Sequence, residues 1–276
     1  MNINRMLVNA HGRTFIQQEA GEDVQTQFGL IFAKDIDPAQ DGDVIQSANG
    51  EQLIVYTPQF IDEYKRIKRD AQIITFKDAG IIMATAGLGP ESVVAEAGAG
   101  SGAMTVLLAR HCKHVYTHDI DDHNLSVAKE NCDAFGLENV TFTQHDITQG
   151  LQHGPVDALL LDMPIPWQVL DKTNNLKIGA YVITYTPSAI QLQQVRNTAE
   201  ELGYQHIRTV EVTERHWKVK GDAVRPTSRN TAFTAFLCFL RWMGPNFKDI
   251  QPKAKPKSTG PKMPDEEVMQ AAFDSQ

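Results

Sequence analysis

The sequence is short of the features that mark secreted, metal-binding or membrane proteins. Three cysteines occur in 276 residues, Cys112, Cys132 and Cys238, with no CxxC pair and no nearby histidine pattern. That spacing excludes a disulfide framework and reads as buried free thiols in a reducing compartment. No metal site is expected. Long apolar runs are lacking too. The most hydrophobic stretch, TAFTAFLCFL at 231–240, falls far below the roughly 20 residues of a membrane-spanning helix. Met1 to Ala10 holds no apolar core of signal-peptide length. The expected location is cytoplasmic, with no membrane partner. Positive charge is also scarce: 26 Lys and Arg stand against 34 Asp and Glu, a net charge of −8. Overall attraction would not hold a nucleic acid to such a chain, so any polyanion must meet a local basic patch.

What is present is an ordinary globular composition, 42% hydrophobic and 22% charged, with enough apolar side chains for a core. Residues 1–58 read as a small N-terminal β domain. The runs RTFIQQ, QFGLIFA and EQLIVYTP are broken by Gly21, Asp41-Gly42 and Asn49-Gly50. A linking helix is expected over 59–71, with Phe60, Ile61, Tyr64 and Ile67 at helical spacing. Its YKRIKRD run places Lys65, Arg66, Lys68 and Arg69 together. That run reads either as a solvated helix face or as a polyanion contact.

From residue 72 the rhythm becomes strand–helix alternation. Strands are expected near 92–96, 114–118, 139–143, 156–161 and 179–185, and helices near 77–86, 102–112, 122–136 and 189–203. Such alternation implies a parallel sheet covered on both faces. Two further strands, YQHIRTVEVTE and TAFTAFLCFLRW, flank the polar stretch HWKVKGDAVRPTSRN. They predict a terminal antiparallel hairpin on that sheet, closing a main domain over 59–243. Residues 244–276, rich in Pro and Lys around PKAKPKSTGPKMPDEEV, read as a flexible tail.

The chemistry is carried by VVAEAGAGSGAMTVLLA at 93–109. A strand bearing Glu96 runs into Gly98, Gly100 and Gly102, then into a helix opening with Ser101, Ala103 and Met104. A glycine loop at the carboxyl end of a parallel strand is where open α/β sheets bind nucleotides. The spacing is GxGxG rather than the GxGxxG usual for NAD. The next strand, HVYTHDI, ends at Asp119, about twenty residues on, where a carboxylate can accept from both hydroxyls of a ribose. QHDI places Asp146 and Ile147 after the third strand, to edge and cover an adenine ring, and VDALLLDMPIPW places Asp162 after the fourth. Any one such aspartate can simply cap the following turn. Three in order at strand ends form one cleft, and the pattern points to S-adenosylmethionine (SAM) rather than NAD.

These segments resemble the tRNA N1-adenine methyltransferases that modify the T-loop adenine at tRNA position 58, and in archaea also at 57. AQIITFKDAG resembles the family's QIxYPKDA, TYTPSAIQ its YxPNxxQ, and RPTSRNTAF its late RP…HTAF. The resemblance runs over roughly residues 5 to 243. It implies a Rossmann-like class I SAM-dependent methyltransferase: a seven-stranded, mostly parallel sheet with a terminal antiparallel hairpin, plus the small N-terminal β domain. It further implies a homotetramer acting on tRNA. By the resemblance, Ser101, Gly102, Ala103 and Met104 meet the methionine end of the cofactor and Asp119, with Asn124 nearby, holds the ribose. Asp146 and Ile147 address the adenine. Asp162 matches the catalytic aspartate, and Tyr185 a tyrosine at the target pocket. Phe76 and Trp167 either wall the base or serve as plain core aromatics.

The chain departs from the family pattern at Thr75-Phe76 and at Asn230, residues expected to line the base pocket. A basic strip of Arg66, Lys68, Arg69, Arg215, Lys218, Lys220, Arg225 and Arg229 is expected to face the tRNA, the last five in an irregular loop over 213–230. Two other readings stand beside this one, a protein isoaspartate O-methyltransferase and a non-catalytic tRNA-binding subunit.

Overall fold

A computed structural model describes residues 3–173, 175–231 and 233–250. The N-terminal region holds a four-stranded antiparallel sheet in the order β2-β1-β6-β5. Its strands are β1 (Arg5–Asn9), β2 (Thr14–Gln17), β5 (Val44–Gln46) and β6 (Gln52–Tyr56). A small hairpin, β3 (Val24–Thr26) with β4 (Gly29–Ile31), and the short helix α1 (Ala33–Ile36) complete it. Leu53 and Val55 of β6 are buried while Gln52 and Ile54 are exposed, the period-2 pattern of a strand with one face on a core. With Leu7, Ile31 and Ile36 they form that core. Strand β1 was not among the runs read as strands. Its identity comes from its neighbours, since Leu7 sits opposite both Phe15 and Val55.

The linking helix is shorter than expected. Helix α2 spans only Phe60–Tyr64, although Ile67 is still buried. Tertiary hydrogen bonds replace the helical ones beyond it. The Asn131 amide accepts from the Lys68 N–H at 3.0 Å and donates to the Lys68 carbonyl at 2.9 Å. Ser101 Oγ accepts from the N–H groups of Asp70 and Ala71 at 3.0 and 2.9 Å. The segment is therefore laid across the glycine loop, with Lys65, Arg66, Lys68 and Arg69 exposed on its outer side.

The main sheet has seven strands: β7 (Val93–Ala97), β8 (His114–Asp119), β9 (Val140–Gln144), β10 (Val156–Leu161), β11 (Leu176–Thr186), β12 (Tyr204–Val210) and β15 (Phe236–Trp242). Their order is β12-β15-β11-β10-β7-β8-β9. The pairs from β9 through β11 are parallel, and β15 runs antiparallel to both β11 and β12. Both faces are covered, as the continuous apolar strands require. Leu160 belongs to one core with Val94, Ile183 and Phe239, whereas Leu159 and Leu161 belong to the opposite one with Val182 and Leu240.

The helices are α3 (Phe76–Ala86), α4 (Ala103–His111), α5 (Asp122–Ala134) and α6 (Ala189–Leu202). Asp121 caps α5 by accepting from the His123 N–H, Ser188 caps α6 from Ile190, and Gly203 ends α6 in the left-handed region.

The stretch expected as an irregular loop is instead a second hairpin, β13 (Glu214–Lys220) with β14 (Ala223–Thr231). Lys220 pairs with Ala223 across Gly221-Asp222, a two-residue turn of the type that favours glycine. Within the stretch expected as a tail, Pro245–Asp249 form a 3₁₀ turn. Residues 251–276 lie outside the described residues. Among the described residues no helix is long and apolar enough to cross a membrane.

Candidate active site

The glycine loop leaves β7 with φ of 86° at Gly98, 49° at Gly100 and 72° at Gly102, values that favour glycine. Close approach adds a second requirement, and its source is the protein itself. A Cβ on Gly98 would fall 1.9 Å from the carbonyl oxygen of Asp162, and one on Gly102 would fall 2.6 Å from Cα of Ala128 on α5. A Cβ on Gly100 would fall 3.3 Å from Cβ of Ala71. At Gly98 and Gly102 the close approach is made by other parts of the protein itself. The loop is rigidly seated, and α4 begins behind Gly102 with no side-chain cap, so its first N–H groups are left for other partners.

A cavity beside the loop is lined by Glu96, Gly98, Gly100, Ser101, Met104 and Asp162, with Gln72 to Ile74 along its other side. Glu96 is fully buried and accepts from Thr105 Oγ1 at 2.6 Å and Thr117 Oγ1 at 3.1 Å. Burial pushes its carboxyl up to about 7 despite those bonds, and the charges of Asp162 and Asp119 push the same way. Asp119, at the end of β8, accepts from the Gly100 N–H through Oδ2 and from the Asp121 N–H through Oδ1, both at 3.0 Å. Asn124 donates to both oxygens at 3.3 Å. The carboxylate is thereby held in one orientation, and the long Asn124 bonds are the easiest for an incoming diol to join or displace.

The residues expected at the adenine differ in exposure. Asp146 is exposed, but its Oδ1 accepts from the N–H and the hydroxyl of Thr148 at 2.9 and 2.7 Å. Those bonds hold its carboxyl below the ordinary range. The side chain of Ile147 is 3% exposed and packed in the core. Ile120, directly after Asp119, is 71% exposed, and an isoleucine just outside the strand is a signal visible in the sequence.

At the other end of the cleft, Leu161 pairs with Thr184. Asp162, the first residue past β10, and Tyr185, the next residue of β11, therefore emerge toward the same face, and the Asp162 charge acts on the Tyr185 phenol. Burial pushes the Asp162 carboxyl up to about 7, and no hydrogen bond or ion pair to that carboxylate is found among the described residues. Tyr185 donates to Asp78 Oδ2 at 3.2 Å. Burial, with the Asp78 charge adding to it, raises the phenol to about 12. Asp78 lies in the KDA segment and also accepts from Thr75 Oγ1 at 3.0 Å, Lys77 Nζ at 2.8 Å and Thr234 Oγ1 at 2.7 Å. Three distant segments of the chain meet at this carboxylate, which sequence reasoning did not single out. Phe76 is 46% exposed, with its ring 5.0 Å from that of Tyr64. Trp167 is half-buried against the second core, the plainer of its two readings.

The described part of the basic strip is exposed. On the hairpin, Lys218 pairs with Arg225, while Arg215 lies over the Trp217 ring at 5.5 Å. The side chain of Arg229 and that of Asn230 lie outside the described residues.

A mostly parallel seven-stranded sheet, a glycine loop after its first strand and acidic residues at successive strand ends define a Rossmann-like SAM-dependent methyltransferase. The family described as tRNA methyltransferase complex GCD14 subunit matches residues 53–237, and the chain belongs to it. It is 29% identical over 272 residues to the tRNA (adenine(57)-N(1)/adenine(58)-N(1))-methyltransferase TrmI of Methanocaldococcus jannaschii, covering 86% of this chain and 94% of that one. Among solved structures, it is similar to a SAM-dependent O-methyltransferase from Thermotoga maritima, with a TM-score of 0.80 and 28% identity over 88% of this chain and 94% of that one. It is also similar to the tRNA (m1A58) methyltransferase TrmI of Aquifex aeolicus, with a TM-score of 0.75 and 25% identity over 87% and 98%.

Proposed function

We propose that the chain transfers a methyl group from SAM to N1 of the adenine at position 58 in the T-loop of tRNA, with position 57 as a second acceptor still to be tested. The observation that carries this reading is the closeness of Asp162, which lines the glycine-walled cavity, to Tyr185, whose phenol feels the Asp162 charge. Family membership excludes neither position, because relatives with one and with both are known by name. An isoaspartate methyltransferase would share the glycine loop but would need neither the N-terminal β region nor the DMPIPW segment, and a non-catalytic subunit would not keep the glycine loop, Asp119 and Asp162, which are all in place.

The chemistry of the residues around the loop suits the cofactor. Glu96, Asp119 and Asp162 make the site electronegative, which favours a ligand bearing a sulfonium and an ammonium. Gly98, Gly100, Ser101, Gly102, Ala103 and Met104 line the methionine end through backbone groups. Asp119, steadied by Asn124, takes the ribose, and Asp146 with Ile120 takes the adenine. When bound, SAM supplies an electrophilic methyl group. N1 of adenine has an in-ring lone pair, so the protein need not unmask a nucleophile. Its work is to hold the extruded base, at an unstacking cost of about a few kcal/mol, and to stabilise the ring as it becomes cationic. Asp162, in its ionised form, has that role, with Tyr185 beside it.

The exposed cations of the 65–69 segment and the hairpin form the tRNA footprint, in a homotetramer located in the cytoplasm. Incubation with unmodified tRNA transcript and labelled SAM, followed by nucleoside mass spectrometry, tests the reading. N1-methyladenosine at position 58 is expected, and its absence would overturn the assignment.

A further inference from the structure

We propose that the buried Lys77–Asp78 pair is a positioning device that fixes the hydroxyl of Tyr185 with its proton turned away from the cleft. The phenol oxygen then faces the target base as an acceptor only. The inference rests on the placement of Tyr185 beside the base proposed above.

Asp78 is fully buried, and the Lys77 side chain is 6% exposed. Such pairs are poor stabilisers, because removing two charges from water offsets most of their attraction, and apolar residues of similar volume do as well. What the pair does supply is direction. An ionised carboxylate accepts and never donates, so the hydroxyls of Thr75, Tyr185 and Thr234 all point their protons at Asp78 Oδ2. Lys77 Nζ occupies Oδ1 and also donates to Thr234 Oγ1 at 2.7 Å. Thr234 thus receives one proton from Lys77 and gives its own to Asp78, and its hydroxyl also stands within hydrogen-bond reach of Tyr185.

An asparagine at position 78 would present a donor as well as an acceptor, and the direction of the Tyr185 proton would be lost. That direction matters for N1-methylation. The exocyclic amino group of adenine is a donor, and its hydrogens become more positive as the ring gains charge. An oxygen presenting lone pairs is attracted to the cationic ring, whereas a hydroxyl proton aimed at it is repelled. Asp162 and Tyr185, neighbours on adjacent strand ends, then form an acceptor pair.

Single-turnover methyl transfer at saturating SAM and tRNA, measured for Tyr185→Phe, Asp78→Asn and the double variant, tests the inference. Each single change is expected to slow transfer about tenfold or more, and the double variant to be no slower than Tyr185→Phe alone. Asp78→Asn is expected to lower the melting temperature equally in both backgrounds, so that stability and rate separate. Calorimetric SAM affinity is expected to stay within about twofold throughout. Should Asp78→Asn not fold, Thr234→Val repeats the cycle with a smaller change. If the second substitution slows transfer by the same factor with or without the Tyr185 hydroxyl, the positioning role is overturned. If Tyr185→Phe alone runs at the wild-type rate, the placement of Tyr185 at the base fails, and the inference with it.

Discussion

Gly98 lies directly beneath the main chain of Asp162: a Cβ on the glycine would sit 1.9 Å from the aspartate's carbonyl oxygen. The cofactor loop and the residue proposed for catalysis are thus in backbone contact, and neither can shift alone. Gly98→Ala adds a clash with backbone to an unfavourable φ of 86°. The expected loss is about 3 kcal/mol or more of stability, together with SAM affinity, read by urea unfolding and calorimetry. Gly100→Ala meets only a methyl group at 3.3 Å and is expected to be milder. Equal effects at the two positions would sink this account of the loop.

Asp119→Ala removes the acceptor of the Gly100 and Asp121 N–H groups as well as the proposed ribose contact. Hydrogen bonds to a charged group contribute about 1.5–3 kcal/mol each, so SAM affinity should fall at least tenfold by calorimetry with tRNA absent. Unchanged affinity would remove the ribose assignment.

Asp162 must be ionised to stabilise a cationic ring, and burial raises its carboxyl to about 7. The single-turnover rate is expected to climb with pH through about 7 and level off above it. Asp162→Asn should flatten that profile and slow transfer by roughly 10²–10³ while leaving the fold intact. A near-normal rate in that variant would make Asp162 structural.

The same shifts carry a stability consequence of definite sign. Glu96 and Asp162 titrate near 7 when folded, above the ordinary carboxylate range. The folded state therefore binds more protons than the unfolded one between about pH 4 and 7. Their contribution is fully present below that window and lost as the pH rises through it. The melting temperature of Glu96→Gln should accordingly depend less on pH across this window than that of the wild type, as scanning calorimetry can check.

On the hairpin, Lys218 and Arg225 face each other across the two strands, a like-charge pair that disfavours the free hairpin and is relieved by a phosphate. Arg225→Ala is expected to weaken tRNA binding and reduce its log–log salt slope by about one unit, as measured by filter binding over a salt series. Removal of residues 251–276 should matter much less. The opposite outcome would move the footprint to the tail.

The parallel sheet, the glycine loop and the aspartates ending strands two and four were legible in the sequence, because each is a local pattern. Apolar runs of strand length, glycines next to a helix start and a carboxylate at a strand end all obey short-range rules. Even the hairpin at 214–231 had its turn signal in Gly221-Asp222, masked by the polarity of strands exposed on both sides. Tertiary structure decided the rest. The helix after Phe60 stops at Tyr64 because Asn131 and Ser101, far along the chain, capture the backbone groups of residues 68–71. Ile147 turns into the core beside Leu159 and Leu161 while Ile120 stays exposed, a choice set by packing. Lys77, Asp78, Tyr185 and Thr234 become one cluster only when α3, β11 and the turn before β15 are brought together. A hydrogen bond between residues 107 positions apart has no local signature, and only the folded chain places its two ends within reach.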